Sequence, residues 1–108
     1  MQILMYEILV TNEFEKDYKK CDKSIRNRIN KEIEQLKTNP FSGKPLGYNF
    51  FRENKVGNYR IYYLVFEKQV IVFVVAISSK KDQQKTIDKI KKLLPDYKKE
   101  IEDKWGES

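Results

Sequence analysis

The pattern of hydrophobic positions in residues 50–81 predicts three consecutive antiparallel strands. Two runs rich in β-branched and aromatic residues, Tyr59–Phe66 and Val70–Ile77, are separated by only three residues, which is typical of a tight antiparallel connection. Ahead of them, Phe50–Lys55 alternates apolar and polar side chains. It leads into Val56-Gly57-Asn58, where glycine and asparagine tolerate the positive φ that a hairpin turn needs. Three strands joined by short turns form an antiparallel meander.

Helical periodicity precedes the meander. Tyr6–Val10 has the pattern of a short apolar strand, and Thr11-Asn12 can cap a helix with three residues on one face: Phe14, Tyr18 and Cys21. After a break at residues 22–24, a stronger amphipathic helix has four apolar residues at helical spacing: Ile25, Ile29, Ile33 and Leu36. It ends before Pro40, because the residue preceding a proline disfavours helical geometry. The two helices are expected to form a hairpin whose apolar stripes pack on the sheet.

The remaining segments complete the predicted fold. Glycine and proline at positions 43, 45 and 47 predict a loop over residues 41–48. After the meander, Ser79 and Asp82 can begin a helix with four apolar positions: Ile87, Ile90, Leu93 and Leu94. Pro95 predicts a break, and a last helix then carries an exposed or partner-covered stripe of Tyr97, Ile101 and Trp105.

These elements predict an α+β fold with two layers, in the order βααβββα plus an extra C-terminal helix. We expect one domain over residues 1–108, with residues 95–108 as its helical extension. The 22 basic and 16 acidic residues give a net charge of +6 and a pI near 9.3. That excess suggests a polyanion such as nucleic acid, or an acidic protein, as partner; the alternative is a solvated, lysine-rich surface.

Several chemistries are excluded by missing residues. The sequence has no histidine, so histidine-based acid–base catalysis and histidine-ligated metals are not available. Its single cysteine, Cys21, cannot build a thiolate zinc site or an internal disulfide framework, and one cysteine is typical of a reducing cytoplasm. No segment approaches the roughly 18 apolar residues of a membrane span. We therefore expect a cytoplasmic protein with no metal, no cofactor and no membrane partner.

A cluster of positive charge is the chemistry that remains. In a meander, the end of the first strand, the start of the second and the end of the third meet at one edge, which places four basic residues together: Lys55, Arg60, Lys80 and Lys81. Arg60 is the strongest candidate for phosphate binding, because its planar fork can bind two phosphate oxygens. Tyr59 could stack on a base, and Arg52 could position the RNA backbone. These cations could stabilise the charge that develops when an RNA 2′-hydroxyl attacks its own phosphate.

These residues also carry a family resemblance. The segment KVGNYRIYYLVFEKQVIVFVVAISSKKD resembles the central part of toxins of the RelE/ParE superfamily, in which a basic residue, a Gly-x-Tyr-Arg turn and an apolar strand pair lead to a basic C-terminal segment. The predicted helical hairpin over Glu13–Thr38 and the NPFSGKPL stretch also fit. The resemblance covers Tyr6–Leu94.

The resemblance implies the toxin of a type II toxin–antitoxin system. Toxins of the RelE-like branch are metal-independent endoribonucleases that cut messenger RNA in the ribosomal A site and are neutralised by a cognate antitoxin. By match to the motif, Arg60 takes the arginine role after the turn, Lys55 the preceding basic role, and Lys80 or Lys81 the C-terminal basic role. The implied partners are an antitoxin protein, the ribosome and mRNA.

Two departures from the family pattern keep alternatives open. Many members have a further basic residue where this chain has Glu53, and a base-stacking tyrosine where it has Gln83 and Gln84, so Gln84 becomes the candidate for that RNA contact. The leading hypothesis is a ribosome-dependent endoribonuclease that cleaves mRNA, and two alternatives stay open. These alternatives are a ParE-like inhibitor of DNA gyrase and an inactive homologue that only binds an antitoxin. The assembly is open between a homo-oligomer and a toxin–antitoxin hetero-oligomer.

Overall fold

A five-stranded sheet forms the centre of the computed structural model, which describes residues 4–106. The elements in chain order are β1 (Glu7–Val10), α1 (Asn12–Lys20), α2 (Lys23–Leu36), β2 (Lys44–Tyr48), β3 (Phe51–Val56), β4 (Tyr59–Phe66), β5 (Ile71–Ser79), a short 3₁₀ turn (Lys80–Asp82) and α3 (Gln83–Trp105). The strands lie in the order β1-β5-β4-β3-β2. β1 is parallel to β5, and the other neighbouring strands are antiparallel.

The predicted meander is confirmed as β3, β4 and β5. β3 and β4 pair in continuous register from Phe51 opposite Leu64 to Val56 opposite Tyr59. Gly57 in the connecting turn has φ 59°, a conformation that costs glycine less than any residue with a Cβ. β5 pairs with β4 along its whole length, apart from one irregularity where the register shifts. The predicted α+β class is likewise confirmed.

Helices cover both faces of the sheet, so the fold has three layers and not the two that were predicted. Along β4, Ile61 and Tyr63 belong to the apolar cluster under α1 and α2, whereas Tyr62 and Leu64 belong to the cluster under α3. The correction has a simple cause. A strand that is apolar on both faces requires a cover on each side, and the helical hairpin covers only one of them.

The predicted loop over residues 41–48 is partly wrong, because Lys44–Tyr48 forms the edge strand β2. Proline and glycine in this segment suggested a loop, but an edge strand can accommodate both. Pro45 pairs with Arg52 of β3, and the register then shifts before Tyr48, where Gly47 has φ 89°. Proline lacks only the amide hydrogen, which an edge strand does not need on its outer side.

The predicted break at Pro95 is also wrong, since α3 runs without interruption from Gln83 to Trp105. A proline inside a helix costs about 3 kcal/mol. Burial on the C-terminal side of Pro95 offsets this cost: Tyr97 is 9% and Ile101 1% exposed, and the Tyr97 ring meets Phe73 edge-on at 5.8 Å. The stripe is therefore core at these two positions and exposed at Trp105. None of the helices within residues 4–106 has the length and apolar character needed to cross a bilayer.

Side-chain caps define where the helical hairpin begins. Thr11 Oγ1 accepts a hydrogen bond from the Phe14 amide at 3.0 Å and donates to the Val75 carbonyl at 3.0 Å. It therefore starts α1 and ties it to β5. Asp22 does the same for α2, accepting from the Ile25 amide at 2.9 Å. Each such cap contributes about 1 kcal/mol, because it satisfies a helix amide that would otherwise lack a partner.

Gly43 marks the closest approach between the loop before β2 and the sheet. Its amide donates to Tyr63 Oη at 3.0 Å, and a methyl group on its Cα would lie 2.6 Å from Asn54 Oδ1, from Glu53 O and from Tyr63 Oη. We expect Gly43→Ala to lower the free energy of unfolding by about 1–3 kcal/mol, the usual cost of overpacking. Urea denaturation measures the change. Lys44→Ala at the next, exposed position is the control, with an expected change below about 0.5 kcal/mol. Unaltered stability of Gly43→Ala would contradict the close approach.

Candidate functional site

Four basic residues lie where the β3–β4 turn meets the end of β5. We call them the basic edge: Lys55, Arg60, Lys80 and Lys81. Lys55 and Arg60 are direct cross-strand partners, so their side chains leave the same face of the sheet. Arg60 also pairs with Ser78 of β5, and the Lys80 amide donates to the Asn58 carbonyl at 2.8 Å. The topology thus brings together the four residues that the sequence places at one edge.

Arg60 is held firmly at one end of its guanidinium group. Its side chain is largely buried, with 7% of the residue exposed. Nη1 donates to the carbonyls of Tyr59 at 3.0 Å and Gly57 at 3.3 Å. Nε and Nη2 make no hydrogen bond to any residue in the range 4–106. The turn therefore fixes the orientation of the fork and leaves part of it available to an anion.

No carboxylate within residues 4–106 lies within 4 Å of a charged nitrogen of the basic edge. The three ion pairs in this range lie elsewhere: Lys37–Glu34, Lys89–Glu13 and Lys99–Asp103. Lys55, Lys80 and Lys81 are exposed. Because charges without counter-ions act over a Debye length of about 8–10 Å at moderate salt, the basic edge can attract a polyanion before contact.

A buried polar cluster lies beside the basic edge, on the face of the sheet that α3 covers. Glu53 is 6% exposed, and its carboxylate oxygens accept from Gln83 Nε2 at 2.5 and 2.8 Å. Tyr62, the cross-strand partner of Glu53, shares a hydrogen bond of 2.7 Å with Ser78 Oγ. These contacts join β3, β4, β5 and the first turn of α3. The described part of the chain has no group of three or more His, Cys, Asp or Glu side chains that could hold a metal ion.

Tyr62 has a perturbed hydroxyl in this cluster. Burial raises its pKa above the ordinary value of 10.0, and the charge of Glu53 adds to the rise. The hydrogen bond with Ser78 and the charge of Arg60 act in the opposite direction, but burial is the largest effect. Tyr62 is therefore neutral at physiological pH. It holds the strand ends together and is not available as a base.

Arg52 lies on the opposite face of β3 and is used entirely within the fold. Nε and Nη2 donate to the carbonyl and side-chain oxygens of Asn49 at 2.8 and 2.7 Å, and Nη1 donates to the carbonyls of Phe41 at 2.9 Å and Gly43 at 2.5 Å. The guanidinium carbon also lies 5.1 Å from the centre of the Phe41 ring. All three nitrogens are thus committed to the protein itself. The RNA-binding role predicted for Arg52 is not supported by this placement.

Tyr59 and Gln84, the other two predicted RNA contacts, do not lie beside the Arg60 side chain on its face of β4 in the way that Lys55 does. Tyr59 is half-buried and packs against the apolar cluster under α1 and α2, on the face opposite Arg60. Gln84 is exposed in the first turn of α3, where its Nε2 donates to Asp88 Oδ1 at 2.9 Å. The structure therefore does not bring Tyr59 onto the face of Lys55 and Arg60. Gln84 lies one residue beyond Gln83, at the start of the same helix.

Arg28 is a basic residue at this site that the sequence did not reveal. It belongs to α2, yet its Nη1 lies 2.9 Å from the position that a methyl group on Gly57 would occupy. Arg28 is exposed. Its contact joins residues 28 and 57, which no local pattern relates. Only the way that α2 packs across the sheet could have indicated it.

The profile of one protein family matches residues 8–84, well over half of the chain, and describes the ParE toxin of the type II toxin–antitoxin system parDE. The chain belongs to this ParE toxin family. The predicted membership of the RelE/ParE superfamily is thereby confirmed, and the chain is a type II toxin. No curated protein matches the sequence of this toxin.

Solved RelE structures are similar to the toxin in fold. Escherichia coli RelE, as an arginine-to-alanine double variant in the free state, has a TM-score of 0.68 and 19% identity, over 79% of this chain and 92% of that one. The toxin–antitoxin complex RelBE2 from Mycobacterium tuberculosis has a TM-score of 0.63 and 20% sequence identity, and the match covers 72% of this chain and 94% of that one. The RelB–RelE complex from Methanococcus jannaschii has a TM-score of 0.59 and 25% sequence identity, and the match covers 72% of this chain and 96% of that one. The predicted RelE-like fold is confirmed.

The raised pKa of Tyr62 makes the stability of the toxin depend on pH in alkaline solution. The folded chain holds this proton more tightly than the unfolded chain, whose tyrosines titrate near 10.0. The resulting stability is complete below that pH and is lost as the pH rises above it. From about pH 10 to about pH 11, wild type should therefore lose more free energy of unfolding than Tyr62→Phe, by at most about 1.4 kcal/mol.

Urea denaturation at a series of pH values measures this difference in slope. Tyr48→Phe makes the same change at a ring that is 47% exposed and serves as the matched control. Tyr62→Phe also loses the hydrogen bond to Ser78, which lowers its stability by a constant amount at every pH below about 10. The readout is therefore the slope of the free energy of unfolding against pH, and not its absolute value. Parallel pH profiles for wild type and Tyr62→Phe would contradict the assignment.

Proposed function

We propose that this toxin is a ribosome-dependent endoribonuclease that cleaves mRNA without a metal ion and thereby inhibits translation. One observation carries the proposal. Arg60 is oriented by the turn, shares a face with Lys55 and lies beside the end of β5 where Lys80 and Lys81 follow, and no carboxylate of residues 4–106 pairs with any of the four. The fold that it shares with RelE toxins supports the same proposal.

In the proposed reaction, the 2′-hydroxyl of a nucleotide loses its proton to water, and its oxygen attacks the adjacent phosphorus. A 2′,3′-cyclic phosphate forms, and the 5′-oxygen of the next nucleotide leaves. Negative charge builds up on the phosphate oxygens in the transition state. Arg60 binds these oxygens through the N–H groups that the turn leaves available, and Lys55 adds a second positive charge from the same face. An ammonium group of Lys80 or Lys81 can donate a proton to the leaving oxygen.

Glu53 stands where many relatives have a further basic residue. Its hydrogen bonds direct its carboxylate to α3, which supports the proposal that the basic edge keeps its positive charge. Its carboxylate accepts hydrogen bonds from Gln83 and forms no ion pair with Lys55 or Arg60. The acidic residue thus serves to anchor α3 to β3. We infer that it weakens the charge of the basic edge without cancelling it.

The partner that we propose is a cognate antitoxin. The RelE structures from Mycobacterium tuberculosis and Methanococcus jannaschii are toxin–antitoxin complexes. An antitoxin segment with acidic side chains would be complementary in charge to the basic edge. By covering Arg60 and the lysines, it would exclude mRNA and hold the toxin inactive.

Removal of the Arg60 side chain tests the proposed chemistry. We expect Arg60→Ala to lower the rate of cleavage of ribosome-bound mRNA by about 10²–10³-fold, because one preorganised donor to the transition state contributes that much. Cleavage is measured by primer extension with EDTA present, and inhibition is measured in a cell-free translation system. Lys68→Ala, in the turn between β4 and β5 at the other end of the meander, is the matched control and should cleave like wild type.

Circular dichroism must show that Arg60→Ala remains folded, because Nη1 also anchors the turn. Arg60→Lys provides a second variant that keeps the charge and loses the fork; it should restore only part of the activity. Undiminished cleavage by folded Arg60→Ala would end the proposed mechanism. Loss of all cleavage by wild type on addition of EDTA would end its metal independence.

Inhibition of DNA gyrase is a second candidate, favoured by the match to the ParE toxin profile. The uncompensated charge of the basic edge favours the nuclease. We therefore expect no inhibition of gyrase supercoiling at toxin concentrations that stop cell-free translation. A plasmid supercoiling assay with purified gyrase measures this. Inhibition of supercoiling together with intact mRNA on the ribosome would replace the nuclease proposal with the gyrase one.

A further inference from the structure

Two guanidinium groups meet at Gly57, one from each side of the β3–β4 turn. Arg60 Nη1 donates to the Gly57 carbonyl at 3.3 Å. Arg28 Nη1 lies 2.9 Å from the position of a methyl group on Gly57, and its guanidinium carbon lies 3.6 Å from it. Arg28 comes from α2, which packs on the face opposite α3. One glycine therefore separates two positive charges that belong to different layers of the fold.

Nothing in residues 4–106 neutralises this pair of arginines. Neither guanidinium forms an ion pair within 4 Å in that range, and Arg28 is exposed to solvent. Two guanidinium groups beside one residue repel each other, by about 1 kcal/mol for unit charges roughly 4 Å apart in water and by less at larger separations. A bound anion would remove this repulsion, so the turn has the electrostatic character of an anion-binding site.

We propose that an RNA strand crosses the β3–β4 turn, with the scissile phosphate at Arg60 and a neighbouring phosphate at Arg28. The inference rests on the proposed function, because that function places the scissile phosphate at Arg60. It adds a phosphate-binding residue from α2. Arg28 is thus a positioning residue: it binds the strand beside the reacting bond and does not touch the reacting atoms.

The shape and charge of the turn fit a nucleic-acid backbone. The absence of a side chain at Gly57 leaves room for the Arg28 guanidinium to lie against the turn that also orients Arg60. Exposed Lys55 continues the positive charge on the Arg60 side, and exposed Lys80 follows the end of the neighbouring strand β5. A nucleic-acid strand carries phosphates at regular intervals, so it can bind both arginines in one passage. Each guanidinium fork can hold two oxygens of a phosphate, which an ammonium group cannot match in geometry.

The salt dependence of RNA binding tests the inference, because each phosphate contact releases counter-ions. The probe is a short single-stranded RNA whose 2′-O-methyl groups block cleavage. Its affinity for the toxin is measured by fluorescence anisotropy over a series of KCl concentrations. We expect Arg28→Ala to reduce the slope of log K against log salt by about 0.7, the value for one phosphate contact on a single strand.

Two further variants show which property of Arg28 matters for RNA binding. One separates its charge from the geometry of its fork, and the other measures the effect of removing any positive charge from α2. Arg28→Lys keeps the charge, so it should keep the slope while binding more weakly at every salt concentration. Arg26→Ala is the matched control: it removes the same residue type two positions away on α2, where the side chain points about 200° around the helix. Its slope should equal that of wild type. Circular dichroism and the urea midpoint confirm that each variant is folded.

The outcomes distinguish this inference from the proposed function. An unchanged slope for Arg28→Ala, with a reduced slope for Arg60→Ala, would overturn the inference and leave the nuclease proposal in place. Failure of wild type to cut ribosome-bound mRNA, with a slope that still depends on Arg28, would overturn the nuclease and support the binding site. An Arg28 effect on duplex DNA but not on the RNA probe would overturn the inference. So would the absence of any salt-dependent RNA binding by wild type.

Discussion

The hydrogen-bonded ladder of β3, β4 and β5 is the constraint on which the rest of the toxin depends, because it determines which side chains share a face. A shift of one residue between β3 and β4 would move Lys55 to the face opposite Arg60. The register is secured by packing on both sides. Tyr62 and Tyr63 are adjacent, fully buried and directed into different apolar clusters, where their hydroxyls bind Ser78 and the Gly43 amide. A shifted strand would bury both hydroxyls without these partners.

The two buried arginines of the meander differ in how many of their nitrogens the protein itself uses. Arg52 is 9% exposed and has all three nitrogens bonded to its own chain, so it serves the loop before β2. Arg60 is 7% exposed and uses only Nη1 in this way. A buried charge is tolerated when its hydrogen bonds are satisfied, and costs several kcal/mol when they are not. Arg60 therefore keeps two nitrogens, neither of them fully buried, that make no hydrogen bond within residues 4–106.

The sequence predicts what depends on local pattern and fails where distant parts of the chain decide. Alternation and turn residues were enough for the meander, and the meander was enough to place Lys55 beside Arg60. Composition suggested a loop at β2, but pairing with β3 makes this segment a strand. Composition also suggested a break at Pro95, but the burial of Tyr97 keeps α3 continuous. The contact between Arg28 and Gly57 depends on how α2 crosses the sheet, and no local rule describes that packing.

Gly57 shows why a glycine followed two residues later by a tyrosine–arginine pair has physical meaning in this toxin. The turn requires φ 59°, which costs a residue with a Cβ roughly 1–2 kcal/mol. The same missing side chain leaves room for Arg28 on one side, while the Gly57 carbonyl orients Arg60 on the other. The backbone conformation and the contact with Arg28 therefore both require glycine at position 57. A larger residue at this position would strain the hairpin and displace the Arg28 guanidinium, so the same glycine serves both the turn and the packing of α2 against it.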